Sequence, residues 1–442
     1  MIYTLLKFLL QPLHRMYYKR IIVEGKENIP RDGVIFTSNH QNAMMDAMAI
    51  VAASGRKPWF MARADMFTLA FYRFFLGIFR IIPIYRQRDG KEGLKKNNDV
   101  FEQAATMLVK GHSLALFPEA GHAEHRRLQA LRKGFVRIGF QALEKSGFDK
   151  EIAIIPVGLY YSDFTSFRHT LHVRFGKPVN LSHYKELYEK NPQKAFNIVK
   201  SKVAKRIIPM MINIKNQEYY HTFERMVTLY TESLLPELGY EDRIERILFL
   251  TKQKVIYLMN HLLEQNPEAF QELRIRLDDY FNDAARLHFN DVEVQRFQVK
   301  PVSLTGRAAG LLLLLPFALY GAGVNIIPYI IAGKAAESAG DKHFLSTYKF
   351  GISVIAFPVF YALLAWGFSM LPFASIISVI SFVLSLPLSG LIAYKWRHWM
   401  REWYVNRKLK KAVRRKEGEV YHMLVQRKEL LEYIDKIMAP YF

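Results

Sequence analysis

Two stretches without a charged residue constrain this chain most. The first runs for 26 residues, from Ala308 to Gly333, and the second for 45, from Phe350 to Tyr394. A bilayer crossing takes about 20 predominantly apolar residues, so the second run accommodates two crossings. The expected spans are 350–370 and 373–394, with Pro372 near the break. The first run carries Pro316, Gly321, Gly323, Asn325 and Pro328 near its middle. One tilted crossing is possible there, and so is a broken, re-entrant or interfacial pair of half-helices. Apolar blocks set between charged ones also explain a mismatch in composition. The 442 residues include 62 Lys and Arg against 40 Asp and Glu, a net charge of +22, and half are hydrophobic. The mean hydropathy is nevertheless −0.02.

Charge then sets topology and partners. Residues 395–416 carry ten Lys or Arg and one Glu, directly after the second apolar run. By the positive-inside rule this end is cytoplasmic, and Trp396, Trp399, Trp403 and Tyr404 form the aromatic belt expected there. If the N-terminal part is also cytoplasmic, full crossings are even in number, hence two spans plus a partial insertion at 308–333. A charge of +22 calls for an anionic partner: nucleic acid, anionic lipid or a phosphorylated substrate. No nucleic-acid motif is found, and the densest basic run abuts a span, so lipid is the nearer partner. With no cysteine there is no disulfide framework, thiolate metal site or cysteine nucleophile. The hydrophobic content argues against disorder.

The first twenty residues do not form a signal peptide, since Lys7 and Gln11 interrupt the apolar stretch. They read as a helix on an anionic membrane surface or packed on the following domain. Residues 21–180 alternate short apolar strands (21–25, 33–38, 58–62, 81–86, 113–118, 153–161, 171–176) with helical patterns near 43–53, 66–79, 92–110 and 133–146. That alternation predicts an α/β domain, a mixed sheet covered by helices. Residues 181–305 are polar and helical by pattern, a connector or cap. Membrane segments occupy 306–394 and a basic tail 395–442.

The chemistry is concentrated in the α/β domain. In SNHQNAMMD (38–46), His40 leaves a strand and Asp46 enters the next helix. Such an Asp fixes the tautomer of the His, whose other ring nitrogen takes a proton from a substrate hydroxyl. RIIPIYRQR (80–88) puts Arg86 at a strand end, where a guanidinium fork matches a phosphate. In SLALFPEAGH (113–122), Glu119 follows an apolar strand. It is placed to bind an acceptor hydroxyl, orient a base or pair with an arginine. Arg126 and Arg127 follow as phosphate or carrier ligands. His112, His122 and His125 lack a metal-site spacing and its carboxylate, so no metal is expected. The apolar run 65–79 is core, an acyl groove or a membrane-facing helix.

Taken in order, these pieces resemble the glycerolipid acyltransferase family. Asn39, His40 and Asp46 match its first motif and IIPIYR its second, with Arg86 as the arginine. Phe117, Pro118 and Glu119 match its third, and IIPVGL with Pro156 its fourth. The resemblance covers about a third of the chain. It implies acyl transfer from a thioester, acyl-CoA or acyl-carrier protein, to a hydroxyl of a glycerol phosphate or lysophospholipid. His40 and Asp46 are then the general-base dyad, Arg86 holds the acceptor phosphate and Glu119 its polar head. No cofactor is required, and the lipid acceptor places the domain at a membrane.

Two departures are visible. Five residues separate His40 from Asp46 instead of the family's usual four, and at about 100° per helical residue the extra one must sit in the turn before the helix. The usual FPEGTR is FPEAGH, with Ala120 before Gly121 and no arginine, so Arg126 or Arg127 stands in or the acceptor differs. The competing readings are O-acylation of a lyso-aminolipid and a non-catalytic basic membrane adaptor.

Overall fold

β-branched and apolar runs in the first half of the chain pair into one sheet. The computed structural model describes residues 2–68, 70–85, 90–119, 121, 125–234, 241–338, 340 and 342–441. The elements of the sheet domain are α1 (Ile2–Tyr17), β1 (Arg20–Glu24), β2 (Val34–Ser38), α2 (Ala43–Ser54), β3 (Trp59–Arg63), α3 (Ala70–Ile78), β4 (Ile81–Ile84), α4 (Gly90–Val109), β5 (Leu114–Leu116), α5 (Gly134–Lys145), β6 (Ala153–Tyr161), β7 (Thr170–Phe175), β8 (Val179–Asn180), α6 (Lys185–Lys190) and α7 (Pro192–Ile207). The strand order is β1-β7-β6-β2-β5-β3-β4, with β8 on β6. The β6–β7 and β6–β8 pairs are antiparallel and the others parallel, so the sheet is mixed, as expected.

Both faces of the central strands are buried, which is why β2 and β6 read as nearly unbroken apolar runs. Residues of α4, α5 and α7 fill one face of the core. The end of α1, the inner side of α2 and Phe350 fill the other. The unit thus comprises residues 1–213 and 332–354, so it reaches past the expected boundary at 180. The reason is Phe196, Val199, Val203 and Ile207 of α7, which belong to the same core as β2 and β5. In α1, His14, Tyr17 and the adjoining Tyr18 are buried while Phe8, Leu9 and Met16 are exposed. One side of this helix is packed on the domain and the other is apolar and open.

The second unit comprises 214–331 and 355–442. Its helices are α8 (Tyr220–Tyr230), α9 (Glu241–Gln265), α10 (Pro267–Arg286), α11 (Asp291–Val299), α12 (Leu304–Glu337), α13 (Leu345–Ser369), α14 (Ile376–Arg415) and α15 (Glu419–Met438), with α12 and α13 continuing into residues of the first unit. The connector and the tail, expected as separate pieces, share one core. Buried Arg427 of α15 donates to Asp291 at 2.8 Å, and Tyr280 of α10 donates to the same carboxylate at 2.7 Å.

Among the described residues three helices, α12, α13 and α14, are long and apolar enough to cross a membrane. The break between α13 and α14 spans 370–375 and holds Pro372, as expected. Half-helices are not seen in region 308–333: α12 is one continuous 34-residue helix with Pro316 and Pro328 inside it. Proline removes one amide per site, and neighbours in a bundle re-satisfy the freed groups. A close approach of α14 supports this stretch of α12. A Cβ on Gly321 would lie 2.1 Å from the Ser389 carbonyl oxygen. Asn325 donates to the carbonyls of Gly321 at 2.8 Å and Leu386 at 3.1 Å, and accepts from Tyr361 of α13. Trp396 and Trp403 donate to the Leu311 and Leu304 carbonyls at 2.9 and 3.1 Å. The expected interfacial tryptophans are thus also interhelical contacts.

Candidate active site

Parallel strands deliver their carboxyl ends to one edge of the sheet, where the loops that follow them meet. β2 and β5 are neighbours, so His40 after β2 and Glu119 after β5 come together across 79 positions of sequence. Asn39 fixes the exit from β2. Its side-chain amide accepts from the Leu159 N–H at 2.8 Å and donates to the Leu159 carbonyl at 2.9 Å. It thereby extends the β2–β6 pairing by one side chain.

His40 Nδ1 lies 2.9 Å from Asp46 Oδ2. The imidazole stacks on Phe117, with centroids 4.0 Å apart and planes 14° from parallel. Asp46 is fully buried. Its Oδ2 also accepts from the backbone N–H groups of Gln41 and Asn42, each at 2.8 Å, and its Oδ1 accepts from Tyr161 Oη at 2.7 Å. Four donors on one side chain suit an acceptor-only carboxylate. With Asp46 as acceptor, Nδ1 of His40 carries the proton and Nε2 holds the basic lone pair.

The five-residue gap is absorbed before the helix. Residues 40–42 form the turn, α2 begins at Ala43, and Ala43 has φ = 42°. That left-handed geometry turns Asp46 back onto the turn that precedes it. A non-glycine residue there stores about 1–3 kcal/mol of strain. Ala43→Gly is therefore expected to keep thermal stability within about 1 kcal/mol of wild type, since relief of strain and added chain entropy oppose each other. Ala43→Val, β-branched at the same φ, is expected to lose about 2 kcal/mol or more. Thermal unfolding of the three proteins measures this.

Glu119 is buried. Oε1 accepts the backbone N–H of His40 at 3.0 Å and Oε2 that of Gln129 at 3.1 Å. Each oxygen meets a main-chain amide, so Glu119 ties the β2 exit at His40 to the loop at 125–129. Burial pushes its carboxyl up to about 8, against the opposing pull of the two amides, with Asp46 adding to the rise and Arg127 opposing it. Arg126 lies in that loop. Its guanidinium donates to the Tyr161 carbonyl at 2.9 Å and stacks over Phe164 and Tyr160, so it clamps the end of β6. Arg127 lies close enough to Glu119 to act on its charge. Pro118 is buried and its carbonyl accepts from Arg132 N–H at 2.8 Å. Pro156 pairs with Thr37 at the centre of the sheet. Gly121 has open space where a Cβ would stand. Arg86, Arg88 and His122 lie outside the described residues. Among the described residues no group of three His, Asp or Glu side chains is placed to hold a metal ion.

Tyr161 is the partner of Asp46 that motif spacing misses. It stands 115 positions from Asp46. A signal was present in strand length: β2 ends at Ser38 opposite Val157, and β6 runs four residues further, over the dyad. Burial, and next the charge of Asp46, raise its phenol well above the usual value. Its proton therefore stays in the bond to Asp46.

Half-buried His40 and buried Asp46, both following β2, form a His–carboxylate pair held by main-chain amides, an arrangement able to act as a general base. Known proteins are similar to this part of the chain. Residues 20–160 match the Acyltransferase family. Over 324 residues, 67% of this chain and 46% of the other, the chain is 24% identical to an uncharacterized acyltransferase of Schizosaccharomyces pombe. It is 25% identical over 145 residues, 32% of this chain and 36% of the other, to a chloroplastic 1-acyl-sn-glycerol-3-phosphate acyltransferase of Arabidopsis thaliana. The chain thus spans less than half the length of these curated relatives. The 1-acyl-sn-glycerophosphate acyltransferase PlsC of Thermotoga maritima aligns with 45% of this chain and 76% of its own, at 17% identity and a TM-score of 0.33. Over residues 20–160 the chain is therefore similar to acyltransferases.

Proposed function

We propose that this protein transfers a fatty acyl group from a thioester, acyl-CoA or acyl-carrier protein, to a hydroxyl of a lysophospholipid, with 1-acylglycerol-3-phosphate as the leading acceptor. The observation that carries the reading is the His40–Asp46 contact of 2.9 Å on a carboxylate already held by two main-chain amides and Tyr161. The acceptor hydroxyl loses its proton to His40 Nε2 as its oxygen attacks the thioester carbonyl. Asp46 stabilises the imidazolium that forms. The tetrahedral intermediate then expels the thiolate, which takes the proton back from His40, leaving an ester and a free thiol. Phe117 keeps the ring in plane for both transfers. The acceptor name borne by the Arabidopsis relative supports the choice of acceptor, and Arg86 and Arg127 are the proposed phosphate ligands.

The lipid acceptor is reached from a membrane. Exposed Phe8, Leu9 and Met16 of α1, together with exposed Met66 and Phe74 near α3, offer apolar surface for that contact. The catalytic domain and the basic tail are proposed to lie on the cytoplasmic face, on the strength of ten Lys or Arg in 395–416. Chain connectivity supports two full crossings, α13 and α14. Residues 343–350 pack in the sheet domain, and among the described residues no apolar helix of membrane length lies between that domain and α12. Both ends of α12 then join material on one side, which makes it a tilted or partly inserted helix.

The test is an acyl-transfer assay on the purified protein in phospholipid nanodiscs. Acyl-CoA and acyl-carrier protein serve as donors, and 1-acylglycerol-3-phosphate, glycerol-3-phosphate and a lyso-aminolipid as acceptors. Ester formed on 1-acylglycerol-3-phosphate supports the reading. Turnover on the lyso-aminolipid alone moves the acceptor, and turnover on none, with binding to anionic vesicles intact, leaves a membrane adaptor.

A further inference from the structure

The helix α13 has two characters along one axis. Beyond Gly351 it exposes Ile355, Val359, Leu363 and Trp366 on a single stripe. Its beginning is rooted in the sheet domain. Ser346 is fully buried, accepts from Tyr17 Oη at 3.2 Å and donates to the Phe164 carbonyl. Lys349 donates to the Thr165 carbonyl at 3.0 Å. Phe350 sits edge-on to Tyr17 and His14, at 5.7 and 6.3 Å, in the core that contains Met45 and Ile50 of α2. Just before the helix, His343 Nδ1 lies 3.1 Å from the Gln41 carbonyl oxygen.

That last contact bears on the dyad. The Gln41 carbonyl and the Asn42 N–H belong to one planar peptide group. Its N–H donates to Asp46 Oδ2 at 2.8 Å. A donor on the oxygen end fixes the plane and polarises the amide, strengthening the bond at the nitrogen end. The same turn leads into the strained φ of Ala43, so it needs support from outside itself.

We propose that His343 is a positioning residue for the His40–Asp46 dyad, and that through it α13 makes the geometry of the dyad depend on a surrounding bilayer. With α13 seated in lipid, His343 holds the 41–42 peptide plane and Asp46 keeps its bearing on His40. With α13 unsupported, the turn at 40–43 loosens and the base is misplaced. Its kinetic arm rests on the acyl-transfer reading; its structural arm does not.

The experiment uses the full chain in nanodiscs of phosphatidylethanolamine and phosphatidylglycerol, with short-chain detergent as the unsupported condition. In nanodiscs, His343→Ala is expected to lower kcat by about 10- to 100-fold, the scale of a small misplacement of a catalytic group. KM for donor and acceptor stays within about twofold, because no substrate contact is lost. His343→Asn, whose side-chain amide can donate near the position of Nδ1, restores most of kcat, whereas His343→Phe does not. Independently of turnover, amide exchange of the 38–46 segment rises in His343→Ala while that of 153–161 does not. Transfer of wild type to detergent raises the same exchange, and His343→Ala is insensitive to the transfer. Unchanged exchange at 38–46 in His343→Ala, or equal kcat in all four proteins, overturns the positioning role. Equal exchange of wild type in both environments overturns the bilayer dependence. Absence of turnover together with the expected exchange pattern removes the acyl-transfer reading and leaves the positioning role standing.

Discussion

His40→Ala is expected to lower acyl transfer by about 10²- to 10⁴-fold with the fold intact, the range ascribed to a positioned general base. The two parts of that expectation have separate grounds. The His40 side chain is 17% exposed and its ring is held by a face contact with Phe117, so truncation opens little core. Asp46 keeps three of its four donors, from Gln41, Asn42 and Tyr161, and is not left as a bare buried charge. Asp46→Asn behaves differently. An amide has one acceptor where the carboxylate has two, so its NH₂ must face either two backbone N–H groups or the Tyr161 hydroxyl. Stability falls along with rate, by about 1–3 kcal/mol for each donor left unpaired. Initial rates and thermal unfolding on the same preparations separate the cases. A His40→Ala protein that turns over at wild-type rate would remove the dyad from the reaction.

The elements of the sheet were legible because their apolar runs are short and bounded, and each expected strand lies within a few residues of an observed one. His40 and Asp46 were legible because they sit six positions apart and the turn between them is local. What was hidden depends on register between distant strands. Tyr161 reaches Asp46 only because β6 overhangs β2, and the pairing of Asn39 with Leu159 follows from the same alignment. Side-chain direction was hidden too. The sequence places Glu119 and Arg126 beside the dyad without saying that one faces main-chain amides and the other caps β6. The continuity of α12 was concealed because Pro316 and Pro328 read as breakers. The close approach of Gly321 to Ser389 and the bonds of Asn325 hold the helix together from outside, and no local pattern records them.

The second large effect concerns pH and Glu119. Its carboxyl stands at about 8 in the folded protein against an ordinary 4.5, chiefly through burial. Below about 4.5 both folded and unfolded chains carry the proton and the group's contribution to stability is fully present. Between about 4.5 and 8 the unfolded chain releases the proton while the folded chain keeps it, so stability falls as pH rises. The slope approaches about 1.4 kcal/mol per pH unit for a single group and levels off above 8. Glu119→Gln removes this titration and adds a constant penalty of about 1–3 kcal/mol, because its NH₂ must face the N–H of either His40 or Gln129. The variant is therefore least stable relative to wild type at acid pH; the difference closes as pH rises and reverses before pH 8, because the carboxyl's loss of about 5 kcal/mol between 4.5 and 8 exceeds the constant penalty. Taking the difference between the two proteins cancels every other titrating group, so denaturant unfolding from pH 5 to 9 isolates the carboxyl. A gap that stays constant over that range would mean that Glu119 is ionised throughout. The two amides and Arg127 would then outweigh its burial, and the dyad would work beside two buried negative charges rather than one.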